Sequence, residues 1–271
     1  MDGPCILHLA SCIYAGGILL GTMSHPQTIG PKGCADLIHR SDRVVALTGA
    51  GISTAVGIPD FRGPQGLYVT RQYDPDTVFD ISYFHRDPTP FFEFTRDFLG
   101  VIHTTQPTFT HSFLADLEAR GKLTAVVTQN IDSLHQKAGS ENVLSVHGDY
   151  WTSHCLACRR DFQLTQMEEM VREAPVPLCP CGGVIKPDVV FFGEAVRDLD
   201  HAAAAVAASD LLLVLGSSLA VYPAAFLPEQ AGGDVVVVNK GEVGLQPGAG
   251  RYFVEADLDE YFAEVAHVLE G

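Results

Sequence analysis

The chain has 271 residues, 46% of them apolar and 18% charged, which suits a soluble globular protein with one sizeable core, or one large and one small domain. A formal charge of −16, from 33 acidic against 17 basic residues, argues against nucleic-acid binding, which normally needs a basic face. It serves solubility and would suit a basic partner such as a lysine-rich peptide.

Ile6 to Leu20 is mostly apolar but too short for an ordinary membrane helix. Asp2 stands ahead of it with no basic residue, so the positive region of a secretory signal is missing. Met23 offers an internal start, leaving residues 1–22 without an evident role. Residues 1–29 are expected to be an extension and 30–271 the working domain of a cytoplasmic protein with no membrane partner.

Val44 to Thr48 is a short apolar run suited to a buried strand, and Gly49-Ala50-Gly51-Ile52-Ser53-Thr54 follows it directly. At such a strand end a dinucleotide-binding fold brings backbone against pyrophosphate, because glycine has no Cβ to hold the phosphate away. The pattern is incomplete, since Thr54 stands where the third glycine would be. Asp60, Phe61 and Arg62 then supply an acid, an aromatic ring and a cation, with Arg62 suited to phosphate or ribose oxygens. The competing reading is a glycine-rich surface turn with ordinary charges.

Thr110 to Arg120 reads as a helix opened by a capping threonine and stopped by Gly121. Leu123 to Thr128 is the next strand, and Gln129, Asn130, Ile131 and Asp132 follow it. Val143 to Val146 is another short run, ending at His147-Gly148. His147 therefore shares a strand-end edge with Asn130 and Asp132, which makes it a candidate general base.

Cys155-x2-Cys158 and Cys179-x-Cys181 are separated by 20 residues, a spacing that offers four thiolates to one tetrahedral Zn²⁺. The second pair is one residue tighter than the usual knuckle, but Pro180 and Gly182-Gly183 supply a tight turn. Four cysteines leave no open ligand position, so the metal would be structural. A redox C-x-x-C is the alternative.

Asp198 to Ala208 is an alanine-rich helix that needs a flat partner surface. Leu211 to Gly216 and Val235 to Asn239 are further strands, followed by Ser217-Ser218 and Lys240. A last helix runs from Asp257 to Leu269, with Leu258, Phe262, Val265 and Leu269 at helical spacing. Strands alternating with helices predict an α/β, doubly wound parallel sheet with ligands at the strand carboxyl ends. Amides, hydroxyls and a carboxylate at these strand ends suit a ribose-rich ligand. Singly, Asp132 and Ser218 also read as helix N-caps.

The ordered set GAGISTAVGIPDFRG, TQNID, VHG, the paired cysteines, KPDVVFFGE and GSSLAV resembles the sirtuin family of NAD-dependent protein lysine deacylases over nearly all of residues 30–270. The resemblance implies a Rossmann-like large domain with a small zinc-ribbon module at about 150–186 and a helical insertion at about 64–105. It implies acyl transfer from lysine to the ADP-ribose of NAD, with release of nicotinamide. By that resemblance His147 is the base that activates a ribose hydroxyl, and Asn130 orients the ribose. Asp60, Ile58, Ile131 and Asp132 frame the nicotinamide amide. Ala50, Gly51, Thr54, Phe61, Arg62 and Gln129 surround the pyrophosphate and the nearer ribose. Gly216, Ser217 and Ser218 meet phosphate or ribose, and Asn239, Lys240, Asp257 and Leu258 frame the adenosine end. The acylated peptide would lie between Val189, Val190, Phe191, Phe192 and Gly193 on one side and the Gly216–Val221 loop on the other. Phe191 and Phe192 are candidate tunnel walls, although one of them could equally be core.

Sirtuins that remove succinyl or malonyl groups resemble each other in a Tyr and an Arg three positions later. Thr95 and Phe98 stand there in this chain, so neutral acyl groups are favoured, with Arg96 the residue to watch if the alignment slips. Two other functions share these motifs: mono-ADP-ribosyl transfer on the same fold, and NAD or peptide binding without turnover.

Overall fold

The computed structural model describes residues 27–59 and 73–271. Nine strands are present among them: β1 (Val44–Thr48), β2 (Leu123–Thr128), β3 (Val143–Ser145), β4 (Thr152–Cys155), β5 (Asp161–Gln163), β6 (Ile185–Pro187), β7 (Leu211–Leu215), β8 (Asp234–Val238) and β9 (Arg251–Val254). Six of them form one parallel sheet in the order β3-β2-β1-β7-β8-β9. This is the doubly wound arrangement, in which the chain builds outward from β1 and then returns to β1's other edge.

The central strands are continuous apolar runs because both sheet faces are covered. Val44, Ala46, Leu211, Leu213 and Leu215 point to the face packed by the helices Pro31–Arg40, Phe109–Ala119 and Leu258–Glu270. Val45, Leu47, Leu212 and Val214 point to the other face, against Ala202 and Val206 of the helix Leu199–Ala208. The period of two along each strand thus divides the residues between two cores. Alanine-rich composition lets the Leu199–Ala208 helix lie close on the sheet.

Some boundaries differ from the sequence reading for local reasons. Thr108, not Thr110, caps the helix Phe109–Ala119, in a reciprocal capping box with His111. Thr110 instead donates through its hydroxyl and its backbone N–H to Asp259 Oδ1, on the last helix (2.6 and 2.9 Å). Asp257 is the N-cap of that helix.

A second sheet is antiparallel, in the order β5-β4-β6, and carries the helix Leu164–Glu173. It shares a phenylalanine-rich core with the helices Pro75–Val78, Ile81–Arg86 and Thr89–Thr104. Among the described residues no helix is long and apolar enough to cross a membrane.

Candidate active site

The topological switch lies between β1 and β7, whose carboxyl ends open a crevice. There the glycines interlock. Gly51 N–H donates to Gly216 O (2.9 Å), and a Cβ on Gly51 would stand 2.8 Å from Gly216 Cα. A Cβ on Gly216, which has φ +63°, would stand 2.5 Å from Ile52 N. The absent side chains are therefore required first by loop against loop, which lays backbone along the crevice floor. Thr54, at the third-glycine position, donates its hydroxyl to Gly51 O (3.0 Å) and closes the turn.

Beside this floor the loop after β2 forms a buried polar cluster. Asp132 accepts from Ser53 Oγ (2.7 Å), Asn130 Nδ2 (3.2 Å) and the Leu134 N–H (2.9 Å). Asn130 Nδ2 also donates to Ser53 Oγ (3.3 Å), and the Asn130 N–H to Thr128 Oγ1 (3.1 Å). Burial pushes the Asp132 carboxyl upward, against the pull of these donors. Asp132 is not the N-cap of the following helix, a place that Ser133 takes; it precedes that cap, accepts the helix's first N–H and anchors Ser53 and Asn130. Ser53 was not singled out from sequence, although it stands inside the glycine loop.

His147 Nδ1 lies 3.1 Å from Gln129 O, so a neutral ring donates there and leaves the Nε2 lone pair available. Burial holds its pKa below the ordinary value, only partly offset by the Gln129 carbonyl. Ser217 is buried and accepts from Gln129 Nε2 (2.9 Å) and the Leu219 N–H (3.2 Å), tying the β2 and β7 loops together. Lys240 pairs with Asp257 (2.7 Å), which also caps the last helix.

Apart from Ser53, Thr128 and Leu134, these residues border one cavity of about 1240 Å³, as do Ala50, Ile58, Ile131, Ser218, Asn239, Leu258 and Val189–Gly193. Its polar floor and its glycine cradle suit a phosphate- and ribose-bearing ligand such as NAD. Asp60, Phe61 and Arg62, and the N-terminal extension to residue 26, lie outside the described residues.

The four cysteine sulfurs of the small sheet lie within 4.8 Å of one another, with Cys155 to Cys181 at 3.5 Å and Cys158 to Cys179 at 3.6 Å. A tetrahedral zinc with Zn–S of about 2.3 Å needs sulfurs about 3.8 Å apart, so the set fits that ion. No described cysteine is in a disulfide.

The sequence profile of the Sir2 family matches residues 49–223, which include the glycine loop, the buried polar cluster, His147 and all four cysteines. The chain belongs to the Sir2 family. An NAD-dependent protein deacetylase of Caldivirga maquilingensis is 42% identical over 88% of this chain and 88% of its own. One of Thermotoga maritima is 43% identical over 76% of this chain and 85% of its own. A solved Sir2–p53 peptide–NAD+ complex superposes with a TM-score of 0.79 at 38% identity, covering 89% of this chain and 98% of that one. A Sir2 bound to a propionylated peptide gives 0.77 at 36% identity, with the same coverage.

In this Sir2-family chain the two phenylalanines of KPDVVFFGE separate. Phe191 is buried among Phe79, Phe84 and Phe91, whereas Phe192 is 44% exposed at the cavity. Lys186, unremarked in the sequence, fixes this segment. Its buried ammonium donates to Val189 O (2.6 Å) and Glu194 Oε2 (2.9 Å) and sits 4.0 Å over the Phe191 ring. Phe98 borders the cavity, but Thr95 does not; it is fully buried beside the Tyr150 hydroxyl (3.3 Å). Arg96 turns away, its guanidinium donating to the carbonyls of Phe92, Val171, Ala174 and Pro175.

Proposed function

We infer that this chain is an NAD-dependent protein lysine deacetylase, with an acetylated protein or peptide and NAD as its two substrates. The observation that carries this is the meeting of a neutral His147 with the Ser53–Asn130–Asp132 cluster, between a glycine cradle and the Val189–Gly193 segment. Bound NAD supplies ADP-ribose as the acyl acceptor and nicotinamide as the leaving group.

The chain's own residues prepare that exchange. His147 Nε2 takes the proton of a ribose hydroxyl, because burial keeps the ring unprotonated and Gln129 O fixes its tautomer. Asn130 is held by Ser53 and Asp132 so that it can orient the ribose. Ile58, Ile131 and Asp132, with Asp60, receive the nicotinamide amide. Ala50, Gly51, Thr54 and Gln129, with Phe61 and Arg62, hold the pyrophosphate side. Gly216, Ser217 and Ser218 meet phosphate or ribose, and Asn239, Lys240, Asp257 and Leu258 the adenosine.

The peptide lies along Val189–Gly193 by backbone pairing. The N–H groups of Val190, Phe191 and Phe192 and the carbonyls of Val189, Phe191 and Phe192 are already engaged, so pairing falls to the Val189 N–H, the Val190 carbonyl and Gly193. Cys155, Cys158, Cys179 and Cys181 would hold one structural Zn²⁺, remote from the chemistry, since four thiolates close the coordination sphere. The described cysteines, none of them in a disulfide, and the acidic composition accord with a cytoplasmic protein that acts on basic protein segments, with neither membrane nor nucleic acid as a partner.

The test is nicotinamide release. Protein mixed with NAD and an acetyl-lysine peptide should release it catalytically, and with either alone only at background. Release that ignores the peptide, or no release, would overturn the reading.

A further inference from the structure

Behind the catalytic loop lies a buried polar chain that touches neither the cavity nor solvent. His111 and His135 are 0% and 1% exposed, with ring centroids 4.7 Å apart. His135 Nε2 is 2.8 Å from Thr48 Oγ1, Thr48 Oγ1 donates to Thr128 Oγ1 (2.9 Å), and Thr128 Oγ1 accepts the Asn130 N–H (3.1 Å). Thr48 and Thr128 are the last residues of β1 and β2, so the chain crosses the sheet at the two strand ends that carry the site.

The hydrogen-bond sense follows from either end. Thr48 gives its own proton to Thr128, so it can only accept from His135, which places the proton of His135 on Nε2 and leaves Nδ1 bare. His111 Nδ1 accepts the Thr108 N–H in the capping box, which places its proton on Nε2 as well. Besides Gln136 Oε1, Ser140 Oγ and Ser153 Oγ, the buried side-chain atoms without a partner among the described residues are His111 Nε2 and His135 Nδ1, on these two rings. One is a donor and the other an acceptor, on neighbouring rings, which suits a single bridging water. Burial pushes both imidazoles down, His111 to about 4, so both stay neutral and the order of donors persists.

We propose that His135, backed by His111, is a positioning residue for Asn130: by donating to Thr48 it fixes the Thr48–Thr128 hydroxyl pair, and so the backbone N–H from which the Asn130 amide is aimed. Neither histidine borders the cavity. The inference rests on the deacetylase reading, because Asn130 matters only if it orients the ribose.

The test combines spectroscopy and kinetics. In ¹⁵N-labelled wild-type protein, long-range proton–nitrogen correlation should show His111 and His135 both as Nε2–H tautomers at neutral pH. A proton on Nδ1 of either ring would overturn the proposal without any assay. In kinetics, His135→Leu should lower kcat about tenfold, the scale of one buried hydrogen bond near reacting groups, with the peptide KM within about twofold. His135→Gln, which keeps a donor, should recover most of that loss. Thr128→Val should reproduce it, and the double variant should be no worse than the poorer single one. Unchanged kcat in a folded His135→Leu, equal loss in the Leu and Gln variants, or additive losses would overturn the proposal. If His135→Leu does not fold, Thr128→Val and the tautomers decide. A wild-type protein without turnover would instead defeat the deacetylase reading.

Discussion

Selectivity among acyl groups can be worked from the residues around the cavity. The change is one of substrate, from acetyl-lysine to succinyl-lysine in a single peptide sequence, which adds a carboxylate at the far end of the acyl chain. The aromatic rings of Phe79, Phe94, Phe98 and Phe191 border the cavity there. Arg96, on the helix that carries Phe94 and Phe98, gives its guanidinium to four backbone carbonyls, those of Phe92, Val171, Ala174 and Pro175. Freeing it would strip those carbonyls of their donors, so it does not swing in. Lys186 is equally committed, to Val189 O and Glu194. An uncompensated carboxylate costs several kcal/mol to bury, and each ~1.4 kcal/mol changes a rate tenfold. Acetyl peptides should therefore exceed succinyl peptides in kcat/KM by at least ~100-fold, about 2.7 kcal/mol on the same scale. The assay is mass spectrometry of initial rates over an acyl-peptide panel, repeated with Phe98→Arg, which should narrow the gap about tenfold by supplying a cation. Comparable kcat/KM for the two peptides in the wild type would refute the reasoning.

Three further outcomes follow from the same geometry. His147→Ala should keep NAD affinity within a few-fold, by calorimetry, while kcat falls by about 10²–10⁴; near-normal turnover would remove it as the base. Because burial lowers the His147 pKa, the neutral base is present above that value and lost below it, so the acid limb of kcat/KM should have its midpoint below 6.5. A midpoint above 6.5 would contradict that sign. Metal analysis of fresh protein should find about one zinc per chain, and Cys155→Ala or Cys179→Ala should lower the melting temperature and release it; zinc-free wild type, or variants of full stability, would count against the site.

The strands were legible because their residues are apolar on both faces, a pattern that only a sheet covered on both sides demands. Strand-end polar residues were legible too, since a buried sheet leaves them one place to point. What sequence did not show depends on contacts across long separations. Thr110 looks like a cap, yet its partner is Asp259; Thr108 caps because His111 returns the bond. Phe191 and Phe192 are chemically identical, and only the position of Lys186 and the neighbouring rings decides which is core. Thr95 sits on the predicted helix face but is taken up by Tyr150, in the loop ahead of β4. Ser53 had a visible signal, a hydroxyl inside the glycine loop, whereas its partner Asp132 is 79 residues away. The two buried histidines gave none, because a histidine in an apolar helix reads alike whether it is core or relay.

The most direct test of the central claim is the identity of the products when purified protein, NAD and an acetyl-lysine peptide are combined and followed by mass spectrometry. The account predicts free-lysine peptide, nicotinamide and O-acetyl-ADP-ribose in equal amounts. ADP-ribose attached to the peptide with its acetyl group retained, or free acetate formed without consumption of NAD, would contradict it.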